Sequence, residues 1–230
     1  MCLKIAAKIK MPRLLSLFDG TGSITKTFIE SGLWEVDRVD IDGKFGANIV
    51  IDILKWTDYI NLEPYDLIWA GVPCEEVSIA RTTAKKQRNL KLHDSLVEKT
   101  KEIIKYFLKL NPECKYFVEN PASSLMWRRI ASDWFENRII LDFCQYGKLY
   151  RKRTCLATNT NFKPKLLCDP KTCHACPNGK THCMTAQRGP GKNTCYKTDR
   201  CSLDQLHAYP AELCTDIYKY ISRELVWEVI

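Results

Sequence analysis

The feature that most limits what this chain can fold into is a recurrence of short apolar runs, each stopping in a turn of polar or reactive side chains. Arg13–Phe18 runs into Asp19-Gly20-Thr21-Gly22-Ser23, and Trp34–Ile41 closes on Asp40-Ile41-Asp42. Asn48–Ile51 precedes Asp52, Tyr65–Ala70 leads into Gly71-Val72-Pro73-Cys74, and Lys115–Val118 leads into Glu119-Asn120-Pro121. Runs this short, bounded by Gly, Pro and Asp, read as strands. Helical periodicity comes between them. Ile24–Ser31 ends at Gly32, with Ser23 as its N-cap candidate. In His93–Leu110, Leu96, Ile103, Phe107 and Leu110 recur at helical spacing, Ser95-Leu-Val-Glu98 has the form of a capping box, and Asn111-Pro112 is the stop. Arg138–Phe143 and Lys152–Ala157 read as two further strands flanking Tyr146-Gly147, and helical signal returns at Leu203–His207 and Ala211–Ile221. This alternation predicts an α/β fold with a mostly parallel, doubly wound sheet.

The chain has 230 residues, enough for one domain with an appendage. Hydrophobic residues at 45% and charged residues at 27% exclude a disordered chain. No apolar run approaches the ~20 residues of a membrane-spanning helix, so no membrane partner is expected. Met1–Ile5 does not open a long apolar core with a cleavage site, so the expected location is inside the cell, in cytoplasm or nucleus. The net charge is +8, and it is concentrated. Arg151–Arg200 holds eleven Lys/Arg and two Asp/Glu, whereas the remainder is −1. Such a patch points to a polyanion, most simply nucleic acid, although a solvated loop has the same composition.

Six of the twelve cysteines fall in that same segment. Periodicity vanishes from Asn159 to Arg200, so order there must come from something other than an apolar core. Cys168, Cys173 and Cys176 with His182 form a set that can close around one tetrahedral zinc ion, with Cys183 a rival for the fourth place and His174 left exposed. Lys163, Lys165, Lys171, Lys180, Arg188, Lys192 and Lys197 surround it and could reach phosphates, and Lys85-Lys86-Gln87-Arg88 and Trp127-Arg128-Arg129 could do the same.

In an open parallel sheet, ligands bind beyond the carboxyl ends of the strands, where the reactive turns lie. Asp19-Gly20-Thr21-Gly22 lacks the third glycine of a dinucleotide fingerprint and the Lys-Ser/Thr of a phosphate loop. Its glycines allow close approach of backbone to a ligand, and Asp40, about twenty residues on, can accept from a ribose diol. Together they favour a nucleoside-type cofactor without a pyrophosphate, though a Gly-x-Gly turn alone serves equally as plain structure. Cys74 and Glu119 bring a thiol and a carboxyl to the same edge, the composition of a covalent-catalysis pair.

Phe18-Asp-Gly-Thr-Gly22, Asp40-Ile-Asp42, Asp52-Ile53, Gly71-Val-Pro-Cys74 with Ser78, Glu119-Asn120 and Tyr146-Gly-Lys-Leu-Tyr-Arg151-Lys-Arg153 follow one another in the order of the motifs of DNA (cytosine-5)-methyltransferases. The chain resembles that family over about residues 13–159, and weakly again at Leu203–Pro210. The resemblance implies a class I S-adenosylmethionine-dependent methyltransferase fold, divided as a catalytic domain at 1–159, a basic zinc-bound insertion serving as a reduced target-recognition element at 160–201, and returning C-terminal elements at 202–230. Phe18, Asp19, Gly20, Thr21, Gly22 and Pro73 would line the cofactor pocket. Asp40 would take the ribose hydroxyls, Ile41 would pack on the adenine, and Asp52 with Ile53 would meet its amino edge. Cys74 would attack C6 of a flipped cytosine, Glu119 would bond N3 and the exocyclic amine, and Arg151 and Arg153 would hold the base O2 and the Glu–Cys geometry. The implied partner is cytosine-containing DNA, met by a monomer of the restriction–modification or viral kind. The same chemistry on RNA or a free pyrimidine nucleotide, and a non-catalytic binding module, are the alternatives. The chain departs from the family in having Glu75 after Pro-Cys, Leu149-Tyr150 before the arginine pair, and no late Gly-Asn motif.

Overall fold

A computed structural model describes residues 10–79, 87–129, 137–186 and 201–226. Seven strands form one sheet: β1 (Arg13–Leu17), β2 (Glu35–Asp40), β3 (Ile49–Val50), β4 (Leu67–Gly71), β5 (Lys115–Pro121), β6 (Arg138–Asp142) and β7 (Arg153–Thr158). Their order is β3-β2-β1-β4-β5-β7-β6. The first five are parallel, and β7 runs antiparallel to both β5 and β6. The mostly parallel, doubly wound sheet expected from the sequence is therefore present.

Parallel strands are covered on both faces, so their side chains are apolar in both directions. Leu15 and Leu17 of β1 and Ile68 and Ala70 of β4 share one core with Val97, Ile103, Ile104 and Phe107 of helix α2 (Leu90–Leu110). Leu14, Leu67 and Trp69 point the other way. They pack with Ile24 and Phe28 of α1 (Ser23–Ser31) and with Leu213, Ile217 and Ile221 of α4 (Ala211–Val226), which follows the short α3 (Leu203–His207).

Two helix starts differ from the sequence reading. α2 begins at Leu90 because Asn89 is the cap: its side chain accepts from the Leu92 N–H at 3.0 Å. The Ser95–Glu98 pattern lies inside the helix, where the Ser95 hydroxyl donates to the Lys91 carbonyl at 3.1 Å. At α1 the cap position is Gly22 rather than Ser23, and the Ser23 hydroxyl oxygen accepts from the Tyr209 N–H at 2.9 Å.

Residues 160–186 contain no helix or strand. They are anchored to the β6–β7 connection by backbone N–H groups: Cys168 to Asp142 Oδ2 at 3.0 Å, Lys165 to the Tyr146 hydroxyl at 2.8 Å, and Met184 to the Leu149 carbonyl at 3.0 Å. Cys195, Arg188, Lys192, Lys197, Lys85 and Lys86 lie outside the described residues. No helix among the described residues is long and apolar enough to cross a membrane.

Candidate active site

A cleft of about 450 Å³ opens at the carboxyl edge of the sheet. After β1 it is lined by Phe18, Asp19, Gly20 and Thr21, after β2 by Asp40 and Ile41, and after β3 by Asp52 and Ile53. Pro73 and Cys74 follow β4, and Glu119 comes from β5. Eleven residues nominated from the sequence thus meet in one place. Gly22 does not line it. A Cβ there would stand 2.4 Å from the Arg38 guanidinium, and its φ of +68° belongs to the left-handed region, so only glycine fits beneath the loop.

Each strand end does a separate structural task. Asp19 is spent on the fold: its carboxylate accepts from the hydroxyls of Ser16 (2.7 Å) and Thr25 (3.0 Å) and pairs with Arg38 Nε at 2.6 Å. Phe18 is held at φ +55°, a strained conformation for a bulky residue, by this clamped turn. Asp40 accepts the N–H groups of Gly20 (2.8 Å) and Asp42 (2.9 Å), one on each oxygen. A carboxylate has about four acceptor sites, so roughly two remain for a ligand diol. Ile41 is 73% exposed on the rim, an apolar face set for an aromatic ring. These features and a volume within the ~300–1,000 Å³ range of small-molecule sites fit a nucleoside-type cofactor.

The candidate pair, Cys74 and Glu119, is fixed by strand register. Gly71 at the end of β4 is paired with Glu119 on β5. The next β5 residue, Asn120, is fully buried and donates to the Val72 carbonyl at 2.7 Å, pinning the turn that carries Cys74. The Cys74 carbonyl then accepts from the N–H groups of Val77 and Ser78. Burial, followed by the nearby Glu119 charge, pushes the Cys74 thiol above its usual range, while Lys152 draws it down. Burial likewise raises the Glu119 carboxyl, opposed by Lys152 and by the nearby hydroxyls of Tyr209 and Thr154. Tyr209 donates to Glu119 Oε2 at 3.2 Å, and Oε1 has no hydrogen-bond partner among the described residues. A buried, unpaired carboxylate oxygen is costly unless something else meets it.

Several nominated cations are elsewhere. Arg153 faces Asp142 across the β6–β7 pair and binds its carboxylate with two hydrogen bonds, 3.0 and 2.8 Å. Arg151 is exposed, and neither arginine lines the cleft. The residue between them, Lys152, does. Arg88 closes the segment after Cys74 by donating to the carbonyls of Glu76 and Ser78, both at 2.8 Å. Arg129 pairs with Asp94, Lys165 pairs with Glu212, and Trp127 is buried. Lys163, Lys171, Lys180 and His174 are exposed. Lys152 and Tyr209 were not singled out from the sequence. The one signal for Tyr209 was its place before Pro210 at the end of the late motif.

The cysteine–histidine set assembles with one exchange. Ligand atoms of Cys144, Cys168, Cys173 and His182 all lie within 4.8 Å of one another. Cys144, from the turn after β6, takes the place given to Cys176, whose Sγ is instead directed to Asn178 Oδ1 at 3.8 Å. Cys183 is outside the group too, its N–H bonded to the Ala175 carbonyl at 2.8 Å. His182 Nε2 is 3.4 Å from Cys168 Sγ and 3.7 Å from Cys173 Sγ. A tetrahedral ion with Zn–S ~2.3 Å and Zn–N ~2.05 Å separates its S and N ligands by ~3.6 Å, so the donor set fits.

No family model matches the sequence, and neither does any curated protein sequence. Among solved structures, the chain is similar to the Entamoeba histolytica methyltransferase EhMeth, with a TM-score of 0.48 and 16% identity, covering 68% of this chain and 56% of that one. It is also similar to the Dnmt2 methyltransferase of S. pombe, with a TM-score of 0.45 and 15% identity, covering 70% of this chain and 53% of that one. The chain therefore spans about half the length of these two proteins.

Proposed function

We propose that this chain transfers a methyl group from S-adenosylmethionine to C5 of cytosine in DNA, through a bond between Cys74 Sγ and C6 of a base turned out of the helix. The observation that carries the reading is the meeting of a thiol and a buried, half-paired carboxyl in the cleft formed by the Asp40 and Asp52 strand ends. Asp40, Ile41 and Asp52 would hold the nucleoside part of the cofactor, which when bound supplies an electrophilic sulfonium methyl. Cytosine C6 is a poor electrophile until N3 is engaged. Glu119 Oε1 is the open hydrogen-bonding atom for N3 and the amine, which builds electron density toward C5 as Sγ adds to C6. C5 takes the methyl group, a base removes the C5 proton, and the electron pair released there expels Cys74 as thiolate. C6 is unreachable in a stacked duplex, so the base must be extruded.

The basic insertion would contact the nucleic acid backbone, and Cys144, Cys168, Cys173 and His182 would hold a structural zinc ion that orders it. The test is transfer of tritiated methyl from the cofactor to DNA, RNA and dCMP in parallel, with the wild type and Cys74→Ala. Label in DNA that is lost in the variant is the expected result. Preference for RNA or dCMP would replace the substrate, and no label in any acceptor would overturn the reading.

A further inference from the structure

We infer that Lys152, and neither flanking arginine, is the cation that serves the Cys74 thiolate and the Glu119 carboxylate in the proposed reaction. This rests on the reading of those two residues as the reacting pair. Three consecutive basic residues enter β7, and side chains alternate between the faces of a strand. Arg153 is drawn across to Asp142. Lys152, one position earlier, lines the cleft with Cys74 and Glu119. The ladder holds it there, since the Phe143 N–H donates to the Lys152 carbonyl at 3.1 Å.

The charge of Lys152 is uncommitted. Its Nζ donates to the Leu206 carbonyl at 3.1 Å and lies 5.0 Å from the Phe143 ring centre, both neutral partners. Among the described residues it makes no ion pair, and of its three donors two stay available to the cleft. Among the described residues it is also the one Lys or Arg lining that cleft. The other ionisable groups lining the cleft among the described residues are the carboxyls of Asp40, Asp52, Glu75 and Glu119, the imidazole of His207 and the phenol of Tyr209. Asp19 is neutralised by Arg38. A thiolate forming among those carboxyls needs a counter-charge, because the reactive form of cysteine is stabilised by a nearby cation and disfavoured by burial and by like charge. Lys152 meets that need and also draws the Glu119 carboxyl down against the lift of burial.

The test reads Cys74 itself. Iodoacetamide alkylation of Cys74, resolved by peptide mass spectrometry, is followed against pH in the wild type, Lys152→Met, Lys152→Arg and Arg151→Met. Lys152→Met is expected to move the Cys74 midpoint upward by about one pH unit or more, roughly tenfold slower alkylation near pH 8. Lys152→Arg should restore most of the shift, and Arg151→Met should stay within about twofold of wild type. Buried Cys155 and Cys214 in the same digests report folding. If Lys152→Met exposes them, Lys152→Gln replaces it, keeping a donor for the Leu206 carbonyl without the charge. A Cys74 titration unmoved by loss of the Lys152 charge, or moved as far by Arg151→Met, overturns the inference. No cofactor or nucleic acid is needed, so a Lys152-dependent titration without methyl transfer would sink the proposed reaction and leave Lys152 only as the counter-charge of Cys74.

Discussion

Gly71 offers a sharp test of how the cleft is built. Its backbone has no need of glycine's freedom, since its φ lies outside the left-handed region. What it provides is space: a Cβ at this position would come within 2.5 Å of the Tyr209 hydroxyl but stay 3.7 Å from the ring carbon Cζ and 3.5 Å from the Phe18 carbonyl. In Gly71→Ala the hydroxyl must retreat by roughly 1 Å to reach an ordinary ~3.5 Å contact. Its 3.2 Å bond to Glu119 cannot survive that shift. Loss of a hydrogen bond to a buried carboxylate costs about 1.5–3 kcal/mol, and crowding Tyr209 against Trp69 adds ~1 kcal/mol or more. We expect Gly71→Ala to lose about 2–4 kcal/mol and Tyr209→Phe about 1.5–3 kcal/mol in urea unfolding. Without the hydroxyl the clash is gone, so the double variant should fall within ~0.5 kcal/mol of Tyr209→Phe alone. The coupling is then about 2 kcal/mol or more. Additive losses would refute the reasoning, because they would mean that the Gly71 side of the cleft and the Tyr209–Glu119 bond are independent.

Other consequences are equally open to measurement. Burial holds the Glu119 carboxyl above its ordinary range, so the folded chain binds that proton more tightly than the unfolded one. That group's contribution is fully present below the ordinary carboxyl range and is lost as pH rises from there through the raised range of the folded chain. Glu119→Gln should therefore gain on wild type in urea unfolding as pH rises above the ordinary carboxyl range, while abolishing methyl transfer, and a pH-independent difference would refute this. Elemental analysis should find about one zinc per chain in wild type and in Cys176→Ser, and far less in Cys144→Ser; the reverse order would restore Cys176 as the ligand. Gly22→Ala places a side chain in the left-handed region and onto Arg38, which pairs with the fully buried Asp19 carboxylate. We expect a loss of about 3 kcal/mol or more on thermal unfolding, whereas less than ~1 kcal/mol would show that the turn relaxes freely.

What the sequence disclosed, and what it concealed, follows from the range of the forces at work. Parallel strands covered on both faces advertise themselves as apolar runs, and the geometry of such a sheet sends all their carboxyl ends to one edge. The meeting of Asp40, Cys74 and Glu119 was legible for that reason. Helix starts were less so: Ser95 and Glu98 have the spacing of a cap, but Asn89 reached the Leu92 N–H first. Contacts across long loops left no local trace. Cys144 stands twenty-four residues before Cys168, in what reads as the end of a strand, and Tyr209 reaches Glu119 from ninety residues away.

The run Arg151-Lys152-Arg153 shows the limit most clearly, because a one-residue change of register exchanges the faces of a strand. Composition cannot choose among three adjacent cations, but Asp142 can. Its carboxylate is fully buried, and Arg153 together with the Cys168 N–H overcomes that burial and holds it below the ordinary range. One oxygen accepts from Arg153 Nε, and the other accepts from Arg153 Nη2 and from the backbone of Cys168. The same carboxylate thus holds Arg153, which does not line the cleft while Lys152 does, and seats Cys168 beside Cys144. Removing it, as in Asp142→Asn, should release Arg153 and disturb the Cys168 anchor together. The zinc content and the Cys74 titration would then change in one variant although the two sites share no ligand.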